Sequence, residues 1–369
     1  MITSLELPNQ YIQGPDALKT HMIDKIKKFG HNAFMLCETA VLDTAVDAER
    51  DAVDACVKIT KALFNGVCTE EESERVFTAA AAASPDCIVG IGGEELLDTA
   101  KVVAGQLNLP VIIVPVPVAS ESSCSNISIL YNSRGEVKTY VLLEKNPDVI
   151  IVDTKMVAES PSRYLVAAMG CALPALFEAE SFRKTGTPKI NGFLSPATAY
   201  RLGWLCYDTL LDYGLQAKQD NDANQITDSL ESVLEASTLL SGVCFSNSGM
   251  MVPHTIYNGL TSLAETRSAY HGEKLAISTL ATLYLQGEPA EIVNDIFAFC
   301  ESVGLPVTLD DIGIMDTSDA CIRHVAENVC ARGIFVQNEL IALFPDAVTQ
   351  ALRQVQQEGW RRKLNKKCV

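Results

Sequence analysis

Hydrophobic positions over residues 1–155 alternate between two spacings. Residues 33–37 form a short apolar run with strand character, and residues 40–56 carry helical spacing. Residues 57–64 read as a second strand. Glu70–Ala83 gathers strong helix formers, from a glutamate-rich start to a run of alanines. Residues 86–91 form an apolar strand that ends in glycine, and Glu94–Leu107 reads as the helix after it. Residues 111–114 are a further buried strand, leading into a loop broken by Pro115 and Pro117. Segments 126–131 and 136–142 flank Asn132, Ser133 and Gly135 and read as a hairpin. Val149–Asp153 closes this part. Strands alternating with helices predict right-handed βαβ units and a mostly parallel sheet.

From about Lys155 the spacing becomes helical to the end, with breaks at 186–188, Pro196, Gly214, Gly249, 287–289, 304–306 and Pro345. The expected architecture is therefore an α/β domain over residues 1–155 and an all-helical domain over 156–369, with a ligand cleft between them. A chain of 369 residues is long for one core, in keeping with two domains. A net charge of −17 disfavours nucleic acid and acidic membranes as partners. No apolar run is read as membrane-spanning, and the first residues lack the pattern of a secretory signal. The 12 cysteines are scattered singly, many inside apolar segments such as those at Cys37, Cys87 and Cys244. That usage predicts reduced, buried thiols and a cytoplasmic protein.

Two features carry candidate chemistry. Gly92 and Gly93 join a buried strand to a helix, a geometry that aims backbone N–H groups and a positive helix end at one point, as a phosphate requires. The same pattern also describes a plain tight turn. Among five histidines, His254 and His271 lie on neighbouring predicted helices with a turn between them. Two imidazoles brought together suit zinc or iron(II), although hydrogen-bonded structural histidines would look the same.

Taken together, the motifs resemble the glycerol dehydrogenase-like branch of the iron-containing alcohol dehydrogenases. The matching residues run from Gly90, Gly92 and Gly93 with Leu97, Asp98, Thr99 and Lys101, through Lys145–Asp148 and Asp153–Thr154. They continue with Gly170, Phe177–Ala179, His254 with Asn258 and Gly259, and His271–Lys274. The resemblance implies a dehydroquinate synthase-like fold, a homo-oligomer, NAD in the α/β domain and a divalent metal in the helical domain. Its substrate would be a small alcohol, polyol or hydroxy acid. By the same resemblance, Glu38 would hold the adenosine ribose and favour NAD. Gly92, Gly93, Glu94, Val116, Ser125, Ile127 and Tyr131 would lie at cofactor positions, and Glu121 would take the place of an aspartate beside the substrate.

This chain departs from the family pattern at several of these places. Cys171 stands where the family has its metal-binding aspartate, so the resemblance implies Cys171, His254 and His271 as metal ligands. A thiolate with two imidazoles makes a catalytic zinc shell, and its softness favours zinc over iron. Glu178, seven residues on, would lie about 10 Å further along a continuous helix and could not share that corner. Glu94 replaces a family glycine; facing a diphosphate, it would cost about 1 kcal/mol in water and about 4 at an effective dielectric of 20. Val116 replaces a threonine, and Tyr257 replaces a histidine. The expected function is an NAD- and metal-dependent alcohol or polyol dehydrogenase. The alternative is a catalytically silent member of the family that acts as a binding or scaffold protein.

Overall fold

The computed structural model describes residues 2–116, 121–133, 135–189, 191–331 and 343–367, so the predicted break at Pro117 lies outside the described residues. Six strands form one parallel sheet: β1 (Gln10–Gly14), β2 (Asn32–Cys37), β3 (Lys58–Leu63), β4 (Cys87–Gly92), β5 (Val111–Pro115) and β8 (Val149–Asp153). Their order is β1-β8-β5-β4-β2-β3. A separate antiparallel hairpin, β6 (Ile127–Tyr131) and β7 (Val137–Leu142), stands on the predicted turn.

Period-two alternation decides which face each strand residue serves. Met35, Cys37, Val89, Ile91, Ile112 and Val114 pack on one face against α1 (Ala17–Phe29) and the buried Ala52 of α2 (Leu42–Asp54). Phe34, Leu36, Ile88 and Ile113 pack on the other, against α3 (Glu70–Ala83) and α4 (Glu94–Leu107). The chain leaves β2 through α2 on one face and returns to β4 through α3 on the opposite face. The carboxyl ends of β2 and β4 are thus a topological switch point, where open α/β sheets bind ligands.

Two elements precede the first one that the sequence pattern predicts. β1 is an edge strand, half-buried along its whole length, so it has no apolar run to betray it. The buried face of α1 is interrupted by Lys25, which blurs the helical period.

The chain after Asp153 is helical: α5 (Thr154–Ala158), α6 (Ser162–Ala172), α7 (Ala175–Thr185), α8 (Ala197–Asp222) and α9 (Asp228–Glu235). It continues with α10 (Ser241–Ser248), α11 (Val252–Thr261), α12 (His271–Gln286), α13 (Ala290–Val303), α14 (Asp319–Ala331) and α15 (Pro345–Lys367). A π-helical turn, Ala236–Leu240, joins α9 to α10. One stretch, Ser162–Thr185, is long and apolar enough to cross a membrane, contrary to the expectation that none is. An 18-residue apolar window of it is 94% buried inside the fold, within the helix pair α6–α7. Its apolarity serves the core of the helical domain, around Leu165, Met169, Leu173 and Phe177.

Candidate active site

The glycine turn sits at the switch point. Gly92 has φ 155°, and a Cβ there would lie 2.9 Å from Leu96 Cδ1 and 3.1 Å from Glu38 Cδ, so both conformation and space call for glycine. Glu38 follows β2 directly, and its Oε1 accepts a 2.9 Å hydrogen bond from Gly93 N–H. The carboxylate expected at a ribose therefore rests on the turn's own donor. Glu95 turns inward, where its Oε2 accepts from Cys68 N–H at 2.9 Å. Burial pushes its pKa up to about 7, and neighbouring carboxylates add to the shift. Glu94 turns the other way, across the cleft, to lie 3.5 Å from His271 Nδ1. It faces neither bulk solvent nor the glycine turn alone.

The loop after β5 is built from the inside. Lys101, on α4, is fully buried; its Nζ donates to Ser122 O (2.7 Å) and Ile127 O (2.6 Å) and pairs with Asp98 at 2.9 Å. Asp98 Oδ2 in turn accepts from Ile129 N–H. The motif from Leu97 to Lys101 thus acts as an anchor for the hairpin base and for the short turn Glu121–Ser123. From the helical side Gly242 seats that turn, since a Cβ there would meet Glu121 O at 2.6 Å. Asn146 Nδ2 closes the loop, donating to Cys124 O at 2.6 Å and to Ser246 Oγ at 3.0 Å. These contacts point the buried Glu121 side chain into the helical domain.

The two histidines come to Glu121 from separate helices. His254 lies in the first turn of α11, behind Pro253, and is 2% exposed. Its Nδ1 is 2.7 Å from Glu178 Oε1, which also accepts from Met251 N–H. Glu178 is on α7, past the break at Pro174, so the straight-helix distance from Cys171 does not apply. His271 opens α12. Its position follows from a backbone-to-backbone crossing of α6 and α12: a Cβ on Gly272 would sit 1.7 Å from Ala167 O, and one on Gly170 would sit 2.3 Å from Gly272 O. Tyr257 stacks on the His271 ring, with centroids 4.3 Å apart and planes at 18°.

Glu121, His254 and His271 each present one donor atom, and these atoms all lie within 4.8 Å of one another. His254 Nε2 is 3.4 Å from Glu121 Oε1, and His271 Nε2 is 3.9 Å from the same oxygen. Glu121 Oε2 and His271 Nε2 are buried without a hydrogen-bond partner among the described residues. Orphaned polar atoms of this kind cost stability unless something completes them. One carboxylate and two imidazoles fit a divalent cation. Burial opposes charge on His254, but Glu178 and Glu121 outweigh it and push the pKa up to about 10. Burial, only partly opposed by Glu121, pulls His271 down to about 3, with His254 and Lys274 adding repulsion. The neutral His271 is ready to donate a lone pair.

Cys171 lies beside this cluster and not within it. It packs against Tyr257 and Leu275 and lines a small cavity with Glu121 and His254. Burial, with Glu121 and Glu94 adding to it, holds its thiol well above the ordinary range. Of the expected Cys171, His254 and His271, both histidines belong to the group of donors lying within 4.8 Å of one another, with Glu121 as its third member. A signal for Glu121 was present in the sequence only as a carboxylate near the substrate.

Of the expected cofactor positions, Glu38, Gly93, Glu94 and Tyr131 line a cleft of about 710 Å³ that His271 and Lys274 also border. Val116 and Cys171 line a second arm of about 420 Å³. Ser125 and Ile127 are buried beneath. Ser125 Oγ donates to Ile127 O, and Ile127 packs on Phe245 and Met250.

A family model described as iron-containing alcohol dehydrogenase matches residues 8–154, the span that holds the sheet and the hairpin. The chain belongs to that family, in its glycerol dehydrogenase-like branch, and is an oxidoreductase. It is 40% identical over 363 residues to a glycerol dehydrogenase of Thermotoga maritima, covering 98% of this chain and 99% of that one. It is 36% identical to a glycerol dehydrogenase of Citrobacter freundii, covering 95% and 96%. The solved structure of a probable glycerol dehydrogenase from Sinorhizobium meliloti superposes with a TM-score of 0.91 at 32% identity, covering 98% of this chain and 100% of that one.

Proposed function

We propose that this oxidoreductase is an NAD- and divalent-metal-dependent dehydrogenase of small polyols, with glycerol the first substrate to try. The observation that carries the reading is the convergence of Glu121, His254 and His271, the last of which also lines the cleft bordered by Gly93 of the glycine turn. The names of its relatives point to the same chemistry. When bound, the ion supplies Lewis acidity to a substrate hydroxyl and the dinucleotide supplies the hydride acceptor.

The chain's own residues prepare that chemistry. Glu121, His254 and His271 would hold the ion. Glu178 would hold one proton of His254 on Nδ1, and an ion bound at Nε2 would displace the other. Tyr257, stacked on His271, fixes that ring and excludes water from one side of it. Gly93 offers a phosphate-binding N–H, and Glu38 is in reach of a ribose. The preference for zinc rested on the softness of Cys171. With Glu121 as the third donor, two histidines and a carboxylate serve zinc and iron(II) alike.

The test is NAD reduction with glycerol and simple diols, before and after exhaustive chelation and after refilling with zinc or iron(II). Activity should vanish on chelation and return with one of the two ions. Turnover that persists after chelation, in protein free of metal by elemental analysis, would refute the metal dependence.

A further inference from the structure

We propose that Glu94 is the positioning carboxylate of His271, a role that joins the metal centre to the dinucleotide turn. The inference rests on the metal-dependent reading above and concerns a residue outside the converging set.

The two histidines are placed similarly, the first hydrogen-bonded to its backing carboxylate and the second held more loosely. His254 turns Nε2 toward Glu121 at 3.4 Å and is backed at Nδ1 by Glu178 at 2.7 Å. His271 turns Nε2 toward the same oxygen at 3.9 Å and is backed at Nδ1 by Glu94 at 3.5 Å. A carboxylate behind an imidazole keeps the proton on the far nitrogen, orients the ring and makes the near nitrogen a better donor. His254 draws this support from its own domain, through α7. His271 has no equivalent there, because the flank toward α6 is closed by the Gly170–Gly272 crossing and one ring face is covered by Tyr257. The support reaches it from the opposite domain, through the first residue of α4.

Glu94 directly follows Gly93, at the helix end where a diphosphate would sit. Within the protein it lies near both His271 across the cleft and the buried Lys274, and on its other side it would meet the phosphates. A ligated His271 carries its proton on Nδ1 and draws the carboxylate away from the turn. Without the ion, that attraction weakens and the carboxylate would be held less firmly away from the diphosphate. Metal and dinucleotide therefore favour one another through this one side chain, and linkage requires the effect to be reciprocal.

The experiment compares the parent protein with E94Q, E94D and E94G, using circular dichroism to establish folding and H254A as a control that removes a ligand. Zinc affinity is measured by competition with a chromophoric chelator. The cobalt(II)-loaded forms are compared by visible spectrum, and NADH is titrated into zinc-free and zinc-loaded protein. E94Q and E94G should bind zinc about ten- to a hundredfold more weakly, the range for loss of an outer carboxylate. E94D should recover part of that loss, and the cobalt spectrum of E94Q should shift. The parent should bind NADH about fivefold or more tightly when zinc-loaded, and E94G should lose that difference. If E94Q and E94G match the parent in zinc affinity and cobalt spectrum, Glu94 does not position His271, although the metal site stands. If the parent takes up no zinc while still binding NADH, the metal-dependent reading fails and this proposal falls with it.

Discussion

Glu121→Gln should empty the metal site, while Cys171→Ala should leave it loaded. The glutamine keeps the size of the side chain but removes the charge that two imidazoles share. Glu121 is 3% exposed and its Oε2 has no hydrogen-bond partner among the described residues, so no protein group competes for that oxygen. Zinc affinity should fall by more than about a hundredfold, beyond the range for losing an outer partner. Cys171, by contrast, packs on Tyr257 and Leu275. Its truncation should cost packing and leave the donors in place. Elemental analysis of both variants after incubation with zinc decides the matter. A zinc-free Cys171→Ala beside a zinc-loaded Glu121→Gln would reverse the assignment and restore the thiolate as a ligand.

Lys101→Met should destabilise the protein by about 3–5 kcal/mol, the usual cost of breaking a buried pair from one side. The ammonium is fully buried, paired with Asp98, and donates to carbonyls that shape the Glu121 turn. Removing it strands a buried carboxylate and frees that turn, so metal affinity should fall as well. The double variant Asp98→Leu, Lys101→Met should regain part of the stability, because no lone charge remains. Burial raises the Asp98 pKa from 3.8 to about 6 even with Lys101 opposing the shift. A raised carboxyl pKa means that stability is greatest where the group is protonated and is lost as pH rises through the folded value. Without Lys101 the Asp98 pKa should rise further, so the penalty of Lys101→Met should be smallest below about pH 6, where both proteins hold the proton, and grow as pH rises above it. Urea unfolding at several pH values would measure it. A penalty below about 1 kcal/mol at neutral pH would mean that the pair contributes little.

Much of the α/β domain was legible because its signals are local. α3 and α4 begin and end where the pattern places them. Thr69 caps the first by accepting from Glu72 N–H, and Gly93 opens the second in extended backbone. The hairpin follows from its turn residues, and β4 from an apolar run that ends in glycine. β1 was not legible, since half-burial at a sheet edge imposes no pattern strong enough to read.

The site was legible in its histidines and opaque in its carboxylates. His254 and His271 sit in the first turns of helices whose starts are marked by Pro253 and by Glu273, which accepts from Tyr270 N–H. Which acidic group reaches them depends on contacts distant in sequence. Lys101 anchors the Glu121 turn, Gly242 gives it room, and Gly170 with Gly272 sets how closely α6 approaches α12. A motif position reports which residue replaces which. It does not report that a glutamate one side chain away has the longer reach.

The bond from Gly93 N–H to Glu38 also bears on which anions the cleft will accept. The turn is not vacant when it waits for a ligand; it is held by the protein's own carboxylate. A bare phosphate that took the Gly93 donor would leave Glu38 stranded, a negative charge without a partner at the rim. A dinucleotide brings a diol with its phosphates, so Glu38 would exchange one donor for two in the same displacement. The turn would thus act as a turnstile, disfavouring small anions that carry no sugar and favouring a ligand that re-employs the group it displaces.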